Sequence, residues 1–200
     1  MKIIKTKKEI GIAVLWVMVL VLLDQITKIL ADTFLQGNPD FVLIPGVFVL
    51  RYLRNDSAAF SLDPITLLNN IFHFEVFAND PVAFLNAKML FFIVMTIGVI
   101  LLFCMLYVNI PNSRHFRYLN WILIGFIAGA IGNCIDRAVY HYVIDFFYFE
   151  LINFPIFNVA DIYVTVSAFA TLILCLFYYK EADYDQIFPA KKSKKKDSFS

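Results

Sequence analysis

The feature that most constrains this chain is a run of 20 residues, Met89–Val108, without a single charged side chain. A helix of that length crosses the roughly 30 Å hydrocarbon layer of a bilayer, because each residue rises about 1.5 Å. Tyr118–Ile135 and Ile162–Tyr179 supply 18 uncharged residues each. Ile10–Leu23 is apolar for only 14, so it spans only if the helix continues through Asp24-Gln25-Ile26-Thr27-Lys28 to Ala31. Composition agrees: 16% of residues are charged, where a soluble domain carries roughly 25%. The pattern predicts an all-α membrane protein with four transmembrane helices, near 10–31, 89–108, 118–135 and 162–179. These form a single membrane-embedded domain over 1–184, followed by a Lys-rich tail over 185–200 that is expected to be disordered.

A cleaved secretory signal is the competing reading of the first segment, since lysines precede a short apolar run. No small-x-small site follows Leu23, and Asp24 and Lys28 do not suit such a segment. A retained span is therefore expected. Orientation follows from Lys and Arg, which gather on the cytoplasmic side. The N-terminal tail, the loop carrying Arg114 and Arg117, and the C-terminal segment hold 12 of the 17 basic residues. Lys28, Arg51, Arg54, Lys88 and Arg137 remain for the other side. With four spans, both termini are expected in the cytoplasm.

Two outward segments result. In the first, Phe41-Val42-Leu43-Ile44, a turn at Pro45-Gly46 and Val47-Phe48-Val49-Leu50 read as a small β-like cradle. Ile65–Lys88 is apolar but broken by Asn69-Asn70, Glu75, Asn79-Asp80 and Pro81, and is expected as an interfacial helix or loop. The second, Asp136–Asp161, is rich in aromatics, as expected at headgroup level. Cys104, Cys134 and Cys175 follow no disulfide or metal-ligand spacing and are expected to pack between helices. His73, His115 and His141 form no ligand array, and no basic face interleaved with aromatics suggests nucleic acid. No metal and no cofactor are expected.

Polar groups at membrane depth are costly and point to function or to a named partner. Asp24 and Lys28, four apart, share a helix face in the favourable acid-first order. Asn55-Asp56-Ser57-Ala58-Ala59-Phe60 closes the β-like stretch and also reads as turn chemistry. Gly125, Gly129 and Gly132 lead into Asn133-Cys134-Ile135-Asp136-Arg137 and invite close approach of another helix. Asp136-Arg137 reads as a compensated ion pair, whereas Asp145 has no basic neighbour in sequence. Asn158 followed by Asp161 reads either as a capping box or as part of a site.

Asp24-x-x-x-Lys28, Asn55-x-x-Ala58-Ala59-Phe60, Gly132-Asn133-x-x-Asp136-Arg137, Val143-x-Asp145-Phe146 and Phe157-Asn158-x-Ala160-Asp161 stand in the order seen in lipoprotein signal peptidases (signal peptidase II), intramembrane aspartyl peptidases. The chain resembles that family from about Leu23 to Ala168. Ser57 stands where the family usually has glycine, the 65–88 link is longer than usual, and the basic tail is an addition.

The resemblance implies removal of the signal peptide from bacterial prolipoproteins, just before a diacylglyceryl-modified cysteine, at the outer face of the cytoplasmic (inner) membrane. It implies Asp145 and Asp161 as the catalytic pair, with Asn55, Asn133, Arg137 and Asn158 around the substrate. Asp136 and the Asp24/Lys28 pair are expected to be structural. Two adjacent carboxylates share one proton cheaply, so an acid and a base coexist near neutral pH. A helix N-terminus beside Asp161 makes it the more frequent anion of the two, so that Asp145 more often holds the shared proton. The implied partners are lipid-modified prolipoprotein and membrane lipid, with no nucleic acid and a monomeric enzyme. A small transporter, or an assembly partner using polar residues as packing glue, is the alternative. A transporter would carry charges in mid-span and internal repeats, whereas here the acids cluster at one rim.

Overall fold

The computed structural model describes residues 5–57, 67–68, 71 and 80–187. The expectations for Ala58-Ala59-Phe60, for most of 65–79 and for the tail after Ile187 fall outside them. Among the described residues, four helices are long and apolar enough to cross a membrane: α1 (Lys7–Leu35), α2 (Pro81–Asn109), α3 (Arg117–Tyr140) and α4 (Val159–Phe177).

Helix α1 starts at a capping box: Glu9 N donates to Thr6 Oγ1 at 3.3 Å, and Thr6 N donates to Glu9 Oε2 at 2.7 Å. Its 29 residues extend about 44 Å, so the 14-residue apolar core does not limit the span. Asp24 and Lys28 are tolerated within it because both are buried against neighbouring helices. Lys5 belongs to the helix's packing and is more than a flanking charge. It is buried, and its ammonium donates to the carbonyls of Tyr107 and Ile110 and to Asn120 Oδ1, stabilising the end of α2.

Helix α2 begins at Pro81, eight residues before the expected span (89 − 81). The proline that read as a break is the first helical residue, where its missing N–H costs nothing. Asp80 caps it by accepting from Val82 N at 3.1 Å and Ala83 N at 2.9 Å. Before it, residues 67–68 and 71 are helical.

The cradle is a three-stranded antiparallel sheet, in the order β1 (Phe41–Ile44), β2 (Phe48–Asn55), β3 (Val143–Tyr148). The first two form the expected hairpin, turning at Gly46 with φ +70°. The third strand was not foreseen. It pairs Leu53 with Asp145 and Asn55 with Val143. The sheet rests on the end of α1, where Ala31 and Leu35 pack with Ile144 and Phe146.

Helix α3 is the most buried span and contacts α1, α2 and α4. Its contacts with α4 and with α1 need glycine. A Cβ at Gly129 would lie 2.6 Å from the Ala160 carbonyl oxygen, and one at Gly132 would lie 2.5 Å from Asp24 Oδ2. Cys104 and Cys175, expected between helices, lie exposed on outward faces, and Cys134 is partly buried. At the end of the bundle away from the sheet, α5 (Glu181–Ile187) follows α4. It runs through the expected 184/185 boundary, because Ile187 is buried with Ile110, Phe116, Leu123 and Tyr179.

Candidate active site

All nine residues singled out in the sequence converge where the sheet meets the ends of α1, α3 and α4. The geometry divides them into two layers.

The deeper layer is centred on Lys28. Its ammonium lies 2.9 Å from Asp24 Oδ2 and 3.0 Å from Asp136 Oδ2, and it donates to Asn133 Oδ1 at 2.9 Å. All three N–H donors of the ammonium thus have partners. Asp136 pairs with Lys28 and not with the adjacent Arg137, because successive residues on a helix point about 100° apart. Gln25, which the sequence did not single out, ties this layer together. Its side-chain amide donates to Asp24 Oδ2 (3.2 Å), Asp136 Oδ1 (3.0 Å) and the Gly132 carbonyl (3.2 Å). Asp24 Oδ1 accepts from Ala160 N at 2.8 Å, and Asp136 Oδ2 from Ile144 N at 3.1 Å. The triad therefore holds the start of α4 and the start of β3.

The outer layer holds the two remaining acids. Asp145, in β3, is 1% exposed. Its Oδ2 accepts from Asn55 Nδ2 at 2.8 Å and its Oδ1 from Asn158 Nδ2 at 2.6 Å. Asp161 completes a capping box, accepting from Asn158 N at 3.1 Å while its own N–H donates to Asn158 Oδ1 at 3.0 Å. Its other oxygen accepts from Asn133 Nδ2 at 2.8 Å. Asn158 thus touches both carboxylates, one through its side chain and one through its backbone. It also donates to Asn133 Oδ1 at 3.0 Å, which links the outer layer to Lys28.

Burial pushes the Asp145 carboxyl up to about 7, the nearby Asp161 charge adds to the rise, and the Asn55 and Asn158 donors oppose it. This strand carboxyl can thus hold a proton near neutrality beside a second carboxylate, the acid-and-base combination that hydrolysis uses. Among the described residues no group of three or more His, Cys, Asp or Glu side chains could hold a metal ion.

Arg137 bonds to neither acid. Its NH2 group donates to the Ser57 carbonyl at 3.1 Å and its guanidinium lies 5.5 Å from the Phe92 ring centre. Its Nε is buried without a hydrogen-bond partner among the described residues. Among those residues only His141 and Asn153 combine a side chain with positive φ, so the turn at Ser57 does not call for glycine. Ser57 N donates to Asn55 Oδ1 at 2.9 Å.

A family model described as signal peptidase (SPase) II matches residues 16–66 and 63–177 of the chain. The chain is 34% identical over 168 residues to the lipoprotein signal peptidase of Clostridium tetani, covering 82% of this chain and 90% of that protein. It is 34% identical over 171 residues to that of Streptococcus pyogenes, covering 86% and 95%. Two solved structures of bacterial membrane enzymes share its fold. One has a TM-score of 0.65 at 22% identity, covering 96% of this chain and 98% of that one. The other has a TM-score of 0.66 at 24% identity, covering 90% and 99%.

Proposed function

The chain belongs to the signal peptidase II family, and we propose that it removes signal peptides from diacylglyceryl-modified prolipoproteins, using Asp145 and Asp161 as an aspartyl dyad at the outer membrane interface. The observation that carries this reading is the shared clasp of Asn158 on both carboxylates, at 2.6 and 3.1 Å. One residue thereby ties together two acids from different elements.

In the proposed reaction Asp161 is the base. It takes a proton from a water molecule, whose oxygen attacks the carbonyl carbon of the scissile peptide. Asp145 gives its proton to the carbonyl oxygen. As the tetrahedral intermediate collapses, the C–N bond breaks, Asp161 passes the proton it took from water to the leaving amine, and a hydroxyl of the intermediate returns its proton to Asp145. Asn55, Asn133, Asn158 and Arg137 are proposed to line the substrate path, where amides hold an extended backbone and a guanidinium holds carbonyl or lipid oxygens. Asp24, Lys28 and Asp136 form the structural layer beneath.

The test is incubation of the purified protein with a lipid-modified prolipoprotein and with its unmodified twin. Cleavage of the modified form alone is expected, and cleavage of neither would overturn the assignment.

The proposed orientation places the sheet outside and both termini in the cytoplasm, supported by the 12-to-5 split of basic residues. In a background with the native cysteines replaced, a cysteine at exposed Asn38 should react with a membrane-impermeant maleimide in intact cells. One at Ser113 should react only after permeabilisation. Labelling of Ser113 from outside would put the acids on the cytoplasmic face and sink the model.

A further inference from the structure

Lys88 and Phe92 are four residues apart on α2 and so share a face. Within α2 the buried residues are Lys88, Met89 and Phe92, so this face is where the helix meets the site. The Lys88 ammonium lies 3.3 Å from Asp56 Oδ2, and the lysine side chain is only 6% exposed. Phe92 lies beneath the Arg137 guanidinium, which in turn holds the Ser57 carbonyl. The two residues that follow Asn55 are therefore gripped from two helices, Asp56 by α2 and Ser57 by α3.

That grip bears on Asp145 through Asn55. Asn55 Oδ1 accepts from Ser57 N at 2.9 Å, which fixes the amide's orientation and turns Nδ2 toward Asp145 Oδ2, 2.8 Å away. The aim of the amide depends on the 55–57 turn, and the turn depends on its two cations. We propose that Lys88, through its ion pair with Asp56, is a positioning residue that keeps the Asn55 amide on Asp145. This rests on the catalytic reading of Asp145 given above. The lysine end of the pair is shielded while Asp56 is 60% exposed, so the pair adds little to overall stability and its proposed role is to fix the direction of a short turn.

Among the described residues the charged groups facing Asp145 are Asp161 from α4, Lys28 from α1 and Arg137 from α3, with Asn55 and Asn158 as its donors. Loss of the Asn55 donor disfavours the anion, so Asp145 would hold its proton to higher pH. The two ends of the ion pair separate positioning from simple charge. Acting only through charge, Lys88→Met would raise the alkaline limb of the kcat/KM profile and Asp56→Asn would lower it. Acting through Asn55, both raise it.

The experiment is the pH profile of kcat/KM on lipid-modified prolipoprotein for wild type, Lys88→Met, Asp56→Asn, Lys88→Arg and the swap Lys88→Asp with Asp56→Lys. Both single losses are expected to move the limb up by roughly half a unit to one unit and to lower kcat/KM at neutral pH about tenfold. Lys88→Arg and the swap are expected to restore both. Opposite shifts, or unchanged profiles in folded protein, would overturn the inference. Should Lys88→Met not fold, Asp56→Asn decides, because Asp56 is 60% exposed. Failure of the wild type to cleave, or full activity of Asp145→Asn, would instead defeat the catalytic reading itself.

Discussion

Asparagine in place of either Asp145 or Asp161 is expected to cut turnover by several orders of magnitude while the protein still inserts and folds. A well-placed general acid or base contributes about 10² to 10⁴-fold, and a pair that acts as a unit loses both roles when one member is lost. The geometry sharpens this expectation. The Asp145 oxygens receive donors from Asn55 and Asn158, and those of Asp161 receive Asn133 Nδ2 and Asn158 N. An asparagine at either place presents one N–H₂ group to a donor, so some loss of stability accompanies the loss of chemistry. Turnover must therefore be compared in protein shown by thermal unfolding to be folded. With the Asp145 carboxyl raised to about 7, wild-type kcat/KM should fall as pH rises through that value and the acid loses its proton. A variant keeping more than roughly a tenth of wild-type activity would clear that aspartate of a catalytic role.

The second large effect is structural. Lys28→Met would leave Asp24 and Asp136, both 0% exposed, without the one cation they share. Removing one partner of a buried ion pair costs about 3–5 kcal/mol, and here two carboxylates lose the same partner. The Arg51–Asp40 contact is shorter, at 2.6 Å, but its side chains are 39% and 35% exposed. Its removal should cost no more than about 1 kcal/mol. Adding Asp24→Asn and Asp136→Asn to Lys28→Met should recover much of the lost stability, because no net buried charge remains. The measurement is unfolding in detergent. A Lys28→Met protein within about 0.5 kcal/mol of wild type would show that these acids do not depend on the lysine.

Much of this was legible in the sequence, for identifiable reasons. Uninterrupted apolar runs revealed the spans, because lipid imposes one length and one polarity. The Pro45-Gly46 turn revealed the hairpin. Strand β3 was hidden, because its partner lies some 90 residues away and its alternation is spoiled by burial of Val143, Ile144, Asp145 and Phe146 in succession. The start of α2 was hidden because proline both breaks and begins helices, and only its neighbours decide which. The partner of Asp136 was misread because adjacency in sequence is not adjacency on a helix. Gln25 carried the same signal as its neighbours, a polar side chain within an apolar span, but was passed over beside the charged Asp24 and Lys28. Lys88 lay at the edge of a broken segment and carried none.

The bond from Ala160 N to Asp24 joins the last span to the first across 136 positions. A ribosome adding roughly 5–20 residues per second takes on the order of ten seconds to make that stretch. Through that interval Asp24 has only what the first span brings with it, chiefly Lys28 one turn away. The two can enter the bilayer as a self-neutralised couple. The N-terminus of α4, which carries Asn158 and Asp161, then arrives to a prepared acceptor. Biosynthesis thus delivers the proposed dyad in a single closing event. A nascent chain lacking the final helix lacks Asp161 and so cannot hold the complete proposed dyad.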